Sequence, residues 1–443
     1  MSHSRRKFIL QSGKIAFGGS ALAALPLEAV FANRKRASPN DRLQVGLIGG
    51  NNMGWANLKS HLKLAEVDCT ALCDVDDNVL NKRAAELEKA SGKKTTLYKD
   101  YRKLLEDKDL DAVIIGTPDH WHCLQTIHAL EAGKHGYVEK PLASSIGECL
   151  AMVAAQKRYG KVVQVGQWQR SGKHWQEAVA YVHEGKLGRV RAAKSWIYVG
   201  WKSKLPVKPD EAAPAGVDYD LWLGPAPKRP FNLNRFHGSF RYFWDYAGGL
   251  MTDWGVHLID MALHGMKAGV PKSVMSVGGK YAFPEDAMQT PDTQTAVYDY
   301  GDFMLTWEHT VGIQTAPYGR AHGVAFIGEN GTLVVDRDQW MVLPEPDGKR
   351  YRMESVPVQR SVDNALDNHA ADFVDCIKNP GKTPRCPVET GSLAAVVSHM
   401  GNVAYRTGRR VYWDDLKKQF GNDKEANALL TAAYREPWKF PKA

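Results

Sequence analysis

The segment Leu43-Gln44-Val45-Gly46-Leu47-Ile48, followed by Gly49-Gly50-Asn51-Asn52-Met53-Gly54, decides the fold of this 443-residue chain. An apolar run, a glycine-bearing turn and then helical apolar spacing over 55–64 make a strand–turn–helix unit. In such a unit backbone N–H groups and a helix N-terminus face one point, where a pyrophosphate binds. The dinucleotide fingerprint wants glycine at 49, 51 and 54. Position 51 is Asn, whose side chain takes space that the fingerprint leaves to the phosphate. Read alone, the motif fits a plain strand-to-helix turn equally well.

The flanking sequence favours the nucleotide reading. Twenty residues beyond Gly54 the run 67–73 ends at Asp74, placed to hydrogen-bond the adenosine ribose hydroxyls and to repel a 2′-phosphate. NAD is therefore expected in preference to NADP. Further apolar runs at 112–116, 136–139 and 162–165 alternate with helical patterns at 77–90, 122–132 and 146–158. That alternation predicts a doubly wound parallel sheet, a Rossmann domain over 42–170.

Beyond residue 190 the strands lengthen: 190–199, 272–281, 294–300, 303–310, 324–328 and 332–336. Turn signals at Gly301-Asp302 and Asn330-Gly331 join them as hairpins. These predict an α+β domain over 171–415 with an open, mostly antiparallel sheet, followed by a tail over 416–443. The proline-rich stretch 206–234 reads as a long surface loop. Helices at 364–377 and 391–405 are expected to pack back on the first domain.

The net charge of +9 looks like a nucleic-acid signal until it is located. Arg5, Arg6, Lys7, Lys14, Arg34, Lys35 and Arg36 against Glu28 account for +6 of it, leaving too little elsewhere for a phosphate-tracking surface. The same residues, with an apolar stretch over 15–27 and small residues near 32, predict a twin-arginine export signal over 1–32 and a linker over 33–41. The stretch is short of the roughly 20 residues that span a bilayer. A periplasmic protein with no membrane span in its mature form is expected. Of the six cysteines, Cys69 and Cys73 lie too far apart in one strand to bridge, which leaves Cys376 and Cys386 as the pair to test.

Candidate chemistry collects at strand ends. Thr117-Pro118-Asp119-His120-Trp121-His122 follows the fourth strand, and Glu139-Lys140-Pro141 follows the fifth. Ligands of open α/β sheets bind at that carboxyl edge. In the second half, Gly248-Gly249-Leu250-Met251-Thr252 precedes Asp253 and His257, whose i,i+4 spacing predicts one shared helix face. An acid beside an imidazole suits proton transfer. As an isolated pair they also fit a capping acid and a core histidine. No third ligand has metal-site spacing, so no metal is expected.

Taken together, the glycine turn with Asp74, the segment 117–122, Glu139-Lys140-Pro141, Gly248-Gly249 and Asp253-x-x-x-His257 resemble the Gfo/Idh/MocA oxidoreductases over about residues 42–415. The resemblance implies a Rossmann domain beside an open-faced mixed sheet, NAD(P) in the cleft, sugar or cyclitol substrates, and a homodimer or homotetramer. It also implies that Lys140 polarises the reacting hydroxyl, His257 is the acid/base and Asp253 binds substrate and orients. On this reading the cofactor contacts are Gly49, Asn51, Asn52, Met53, Asp74 and Thr117. Pro118, Asp119, His120, His122, Glu139, Lys140 and Gln167 complete them. Gln169, Arg170, Tyr198 and Trp244 are expected to join Asp253 and His257 around the sugar.

Export has a kinetic corollary. At an association rate of about 10⁶ M⁻¹s⁻¹, even nanomolar affinity means loss of cofactor at roughly 10⁻³ s⁻¹. An exported dinucleotide enzyme is therefore expected to trap its cofactor and to regenerate it in place. Transfer between two sugars does so, and so does transient oxidation of a glycoside to a keto sugar, with loss of the aglycone and return of the hydride. A non-catalytic sugar-binding protein is the alternative from another class.

Overall fold

The computed structural model describes residues 26–32 and 42–441. The paired arginines and the linker lie outside the described residues. Helix α1 (Leu27–Ala32) falls within the span assigned to the export signal, yet it buries Leu27 and Val30, one turn apart, in a cluster with Trp55, Leu80 and Leu87. Glu28 adds an exposed ion pair with Lys89 at 2.9 Å. These six residues pack as part of the folded body.

The first sheet contains β1 (Leu43–Ile48), β2 (Val67–Cys73), β3 (Thr96–Tyr98), β4 (Ala112–Ile115), β5 (His135–Val138) and β6 (Val163–Val165). All are parallel, in the order β3–β2–β1–β4–β5–β6. Helices α2 (Asn52–Leu62), α3 (Asp77–Ser91), α4 (Tyr101–Leu105), α5 (Asp119–Glu131) and α6 (Ile146–Tyr159) make the crossovers. Burial on both faces explains the unbroken apolar runs: every residue of β4 is buried. Strand β3 and helix α4 carry no such run and escape a reading by hydrophobicity, since Thr96 and Leu97 are exposed at the sheet edge.

The second domain has α7 (Lys173–His183) and a nine-stranded sheet. Its strands are β7 (Val190–Val199), β8 (Ser273–Gly279), β9 (Thr293–Asp299), β10 (Met304–Val311), β11 (His322–Gly328), β12 (Gly331–Val335), β13 (Gln339–Pro344), β14 (Val356–Arg360) and β15 (Val411–Tyr412). The order is β14–β13–β12–β11–β7–β10–β9–β8–β15, antiparallel except where β7 meets β10. The loop expected over 206–234 contains α8 (Tyr219–Leu223) and crosses the carboxyl edge of the first sheet, where the Trp222 carbonyl accepts from Trp121 Nε1 at 3.0 Å.

Helices α9 (Gly249–Asp253) and α10 (Gly255–Met266) are separate, broken at Trp254. The single helix expected to carry Asp253 and His257 on one face is therefore two helices. Helices α11 (Ala365–Lys378) and α12 (Val388–Thr407) pack on α2 and α6 of the first domain. Residues 416–441 include α13 (Lys424–Ala428) and dock on α6, where Gly147 N donates to Leu430 O at 2.7 Å and Tyr434 Oη to Glu148 at 2.6 Å. Cys376 and Cys386 are both free thiols, and Cys386 Sγ donates to Gln167 Oε1 at 3.0 Å. Among the described residues no helix is long and apolar enough to cross a membrane.

Candidate active site

The turn after β1 is built by close approach. A Cβ on Gly54 would stand 2.0 Å from the Gly49 carbonyl oxygen, and one on Gly116 2.3 Å from the Gly54 Cα. Gly49 has φ +87°. Only glycine lets β1, α2 and the end of β4 meet this tightly. The left-handed residue of the turn besides Gly49 is Asn52, with φ +40°, whereas Asn51 is extended and caps α2 by accepting from Asn52 N at 3.0 Å. Asn51 thus keeps its side chain within hydrogen-bond reach of the helix end instead of using the left-handed freedom of its residue type.

A cleft with about 1030 Å³ of empty space runs from this turn along the carboxyl edge of the sheet. Of the residues expected to hold the cofactor, Gly49, Asn51, Asn52, Met53, Asp74, Thr117, Pro118, Asp119, Glu139 and Lys140 line it. Asp74 accepts from Gly50 N at 2.8 Å and Asp76 N at 3.0 Å. Burial raises its pKa, against which these two N–H groups work. The glycine cradle, the acid at the end of β2 and a cleft that connects them fit a dinucleotide.

The roof of the cleft comes from the second domain. Phe236, His237, Phe240 and Arg241 line its far side. His237, at φ +49°, places Nε2 3.3 Å from Asp76 Oδ2 and Nδ1 3.4 Å from Asn51 Nδ2. Neither His237 nor Arg241 was identifiable as a site residue from sequence, because their short 3-10 helix (His237–Tyr242) carries no apolar periodicity or motif.

At the inner end Lys140 Nζ donates to Asp253 Oδ1 at 2.7 Å and to its backbone carbonyl at 2.9 Å. Arg241 Nε donates to the same carboxylate oxygen at 3.0 Å. Burial disfavours the Asp253 anion, but the two cations outweigh it and hold this carboxyl well below the usual range. His257, in the first turn of α10, is driven well below the ordinary histidine value by burial, then by the Lys140 charge. Its ring is neutral at pH 7, and its buried Nδ1 has no hydrogen-bond partner. Asp119 is pushed up to about 7 by burial, opposed by Arg241 and Lys140. Glu139 accepts from Asn57 Nδ2 at 2.7 Å behind Lys140.

Other expected contacts lie elsewhere. His120 Nε2 sits against the Trp222 carbonyl, and His122 is held between the carbonyls of Pro141 and Thr117. Neither lines the cleft; both brace the loops that do. Gln167 is buried against Cys386, and Arg170 is committed to Asp260 by two hydrogen bonds of 2.7 and 2.8 Å. Tyr198 donates to Glu308, and Trp244 donates to the Gln289 carbonyl beside Arg406. Gln169 faces Arg337, a residue the sequence did not single out. Among the described residues no His, Cys, Asp or Glu cluster could hold a metal.

A parallel nucleotide-binding sheet, a glycine cradle and a lysine that meets an acid from a second domain define a two-domain protein with a dinucleotide-binding fold. A model for an oxidoreductase family, NAD-binding Rossmann fold, matches residues 43–167, and one for the oxidoreductase family C-terminal alpha/beta domain matches 190–440. The chain belongs to the Gfo/Idh/MocA oxidoreductase family, and its first domain is the family's NAD-binding domain. A glycosyl hydrolase family 109 protein of Shewanella putrefaciens is 31% identical over 201 residues, 42% of this chain and 44% of that protein. The match spans less than half the length of that curated relative. Levoglucosan dehydrogenase, solved with NADH and levoglucosan, aligns with TM-score 0.62 and 22% identity over 84% of this chain and 99% of its own. Aldose-aldose oxidoreductase from Caulobacter crescentus, solved with glycerol, gives TM-score 0.62 and 19% identity over 84% and 100%. At these identities the two structures establish a shared fold.

Proposed function

We propose that this protein is an NAD-dependent oxidoreductase moving hydride between a sugar or glycoside hydroxyl and a tightly held cofactor. The observation that carries the reading is the meeting of Lys140 with Asp253 across the two domains, beside a neutral His257. Oxidising a secondary alcohol requires the hydroxyl proton to leave as the hydride does. Bound NAD supplies the hydride acceptor. Lys140, released in part from Asp253 by an incoming hydroxyl, stabilises the developing alkoxide. His257, neutral and with a free ring nitrogen, takes the proton. Asp253, pinned by Arg241, holds the lysine in place and accepts from a neighbouring hydroxyl. Asp74, at the ribose end, supports NAD over NADP.

The levoglucosan and aldose enzymes that share this fold support the sugar assignment. The roof over the cleft supports retention of the cofactor, which suits an exported, periplasmic protein. Exposed Met275, Val277 and Met304 on the open sheet face support a homodimer or homotetramer. A second reading, a redox-neutral glycosidase acting through a transient 3-keto sugar, is favoured by the family 109 relative. One experiment tests both. The protein is purified without added NAD, denatured and assayed for dinucleotide, and aryl glycosides are offered with and without an external electron acceptor. A keto sugar that accumulates only with acceptor supports the dehydrogenase; aglycone release without acceptor supports the glycosidase. Turnover of neither overturns the enzyme reading.

A further inference from the structure

Arg337 follows β12, and its charge, like that of Lys140, acts on His257. Its guanidinium lies 4.7 Å from the ring centre of Trp168 and 4.2 Å from that of Trp254. The same two indoles flank His257, at ring separations of 6.0 and 6.4 Å. Arg337 and the proposed acid/base therefore share one aromatic enclosure.

Arg170, Arg320 and Arg241 are each matched by a carboxylate, Asp260, Asp336 and Asp253. Arg337 has no ion pair of that kind among the described residues. Its hydrogen bonds go to one neutral oxygen, Gln169 Oε1, at 3.4 Å from Nε and 3.3 Å from Nη2. Asp253 and Asp338 attract it only at longer range, and burial lowers its pKa to about 10. Around it, Gln169 Nε2, His257 Nδ1 and His322 Nε2 are buried polar atoms with no partner. His322 packs 5.3 Å from the Trp254 ring and is neutral at pH 7, since burial takes it to about 3. A cation with its faces covered and several polar atoms left open beside it costs stability unless a ligand completes it.

We infer that Arg337 is a specificity-determining residue that binds the carboxylate of an acidic sugar, so that the substrate is a uronic acid or uronoside. This rests on the oxidoreductase reading above and names the substrate class for the same site. The planar fork matches a carboxylate edge-on while both indoles hold its plane. Trp168 and Trp254 are thereby committed to the arginine faces. A sugar ring lying between Arg337 and Lys140 would present a hydroxyl to His257.

The test uses the NAD-saturated enzyme and matched pairs of methyl uronosides and methyl glycosides in the gluco, galacto and manno series, with the corresponding sugar 6-phosphates as a third arm. Binding is read from tryptophan fluorescence at constant ionic strength, and redox from cofactor absorbance. One uronoside is expected to bind at least about tenfold more tightly than its neutral partner. That ratio should collapse toward one in Arg337→Gln and recover in part in Arg337→Lys, both melting near the wild-type temperature. Equal affinity for acid and neutral sugar, no uronoside bound, a preference for the phosphates, or an unchanged ratio in Arg337→Gln overturns the inference. Reduction of cofactor by a neutral sugar with no uronoside bound sinks Arg337 alone. Uronoside binding that depends on Arg337 but never reduces cofactor sinks the redox reading instead.

Discussion

Lys140 Nζ stands 2.7 Å from Asp253 Oδ1, an ion pair that joins two domains at residues 113 positions apart in the chain. Both side chains are largely buried, 10% and 17% exposed, and Arg241 is the second cation on the same oxygen. Removing Lys140 therefore leaves Asp253 partnered. Lys140→Met is expected to keep the fold, shift the melting temperature little and lower kcat by roughly 10²- to 10³-fold, through loss of alkoxide stabilisation. Steady-state rates beside calorimetric melting check this. A fall in melting temperature that accounts for the lost rate would assign the pair to stability alone.

Gly54→Ala places a methyl carbon where the Gly49 carbonyl already lies, 2.0 Å away. Backbone cannot yield as a flexible side chain does. NAD affinity should fall by more than about 100-fold while the second domain keeps its secondary structure, seen by isothermal titration and circular dichroism.

The His237 contacts to Asp76 and Asn51 join the roof to the glycine turn, but the imidazole is 40% exposed. Exposed pairs contribute less than about 1 kcal/mol. His237→Ala should speed NAD release by only about two- to fivefold, measured by stopped-flow displacement. Unaltered release would mean that the roof is held by Phe236 and Phe240 packing.

Acid sensitivity follows from the buried imidazoles. Burial takes His61, His120 and His122 to about 4 and His369 to about 3, all below the ordinary 6.5. Between those values the unfolded chain binds protons that the folded chain refuses, so stability falls as pH drops from about 6.5 toward 4. Asp119 has the opposite sign. Raised to about 7, it favours the folded state below the unfolded value near 3.8 and loses that advantage as pH rises toward 7. Asp119→Asn should therefore stabilise at pH 8 and have little effect near pH 4, while the wild type melts earlier with acid. Melting curves from pH 4 to 8 read both effects.

The parallel sheet was legible because its strands are buried on both faces and print unbroken apolar runs, and because Gly49, Gly54 and Asp74 stand at spacings that one strand–turn–helix unit fixes. Lys140, Asp253 and His257 were legible as residue types at strand and helix ends. Their spacing misled, since i,i+4 implies one helix only while the helix continues, and Trp254 ends it. His120, His122 and Arg170 carry the right chemistry, but each is spent on a backbone carbonyl or a carboxylate that no spacing rule reveals. Arg241 and His237 come from a six-residue 3-10 helix and Arg337 from a bend, segments too short to show a period. Local sequence thus determined the elements and the cofactor cradle, because those depend on neighbours a few residues away. Which cations share Asp253, which histidines are braces and which arginine is left without a carboxylate were decided by the tertiary structure, because those contacts are set by packing and follow no regular spacing along the chain.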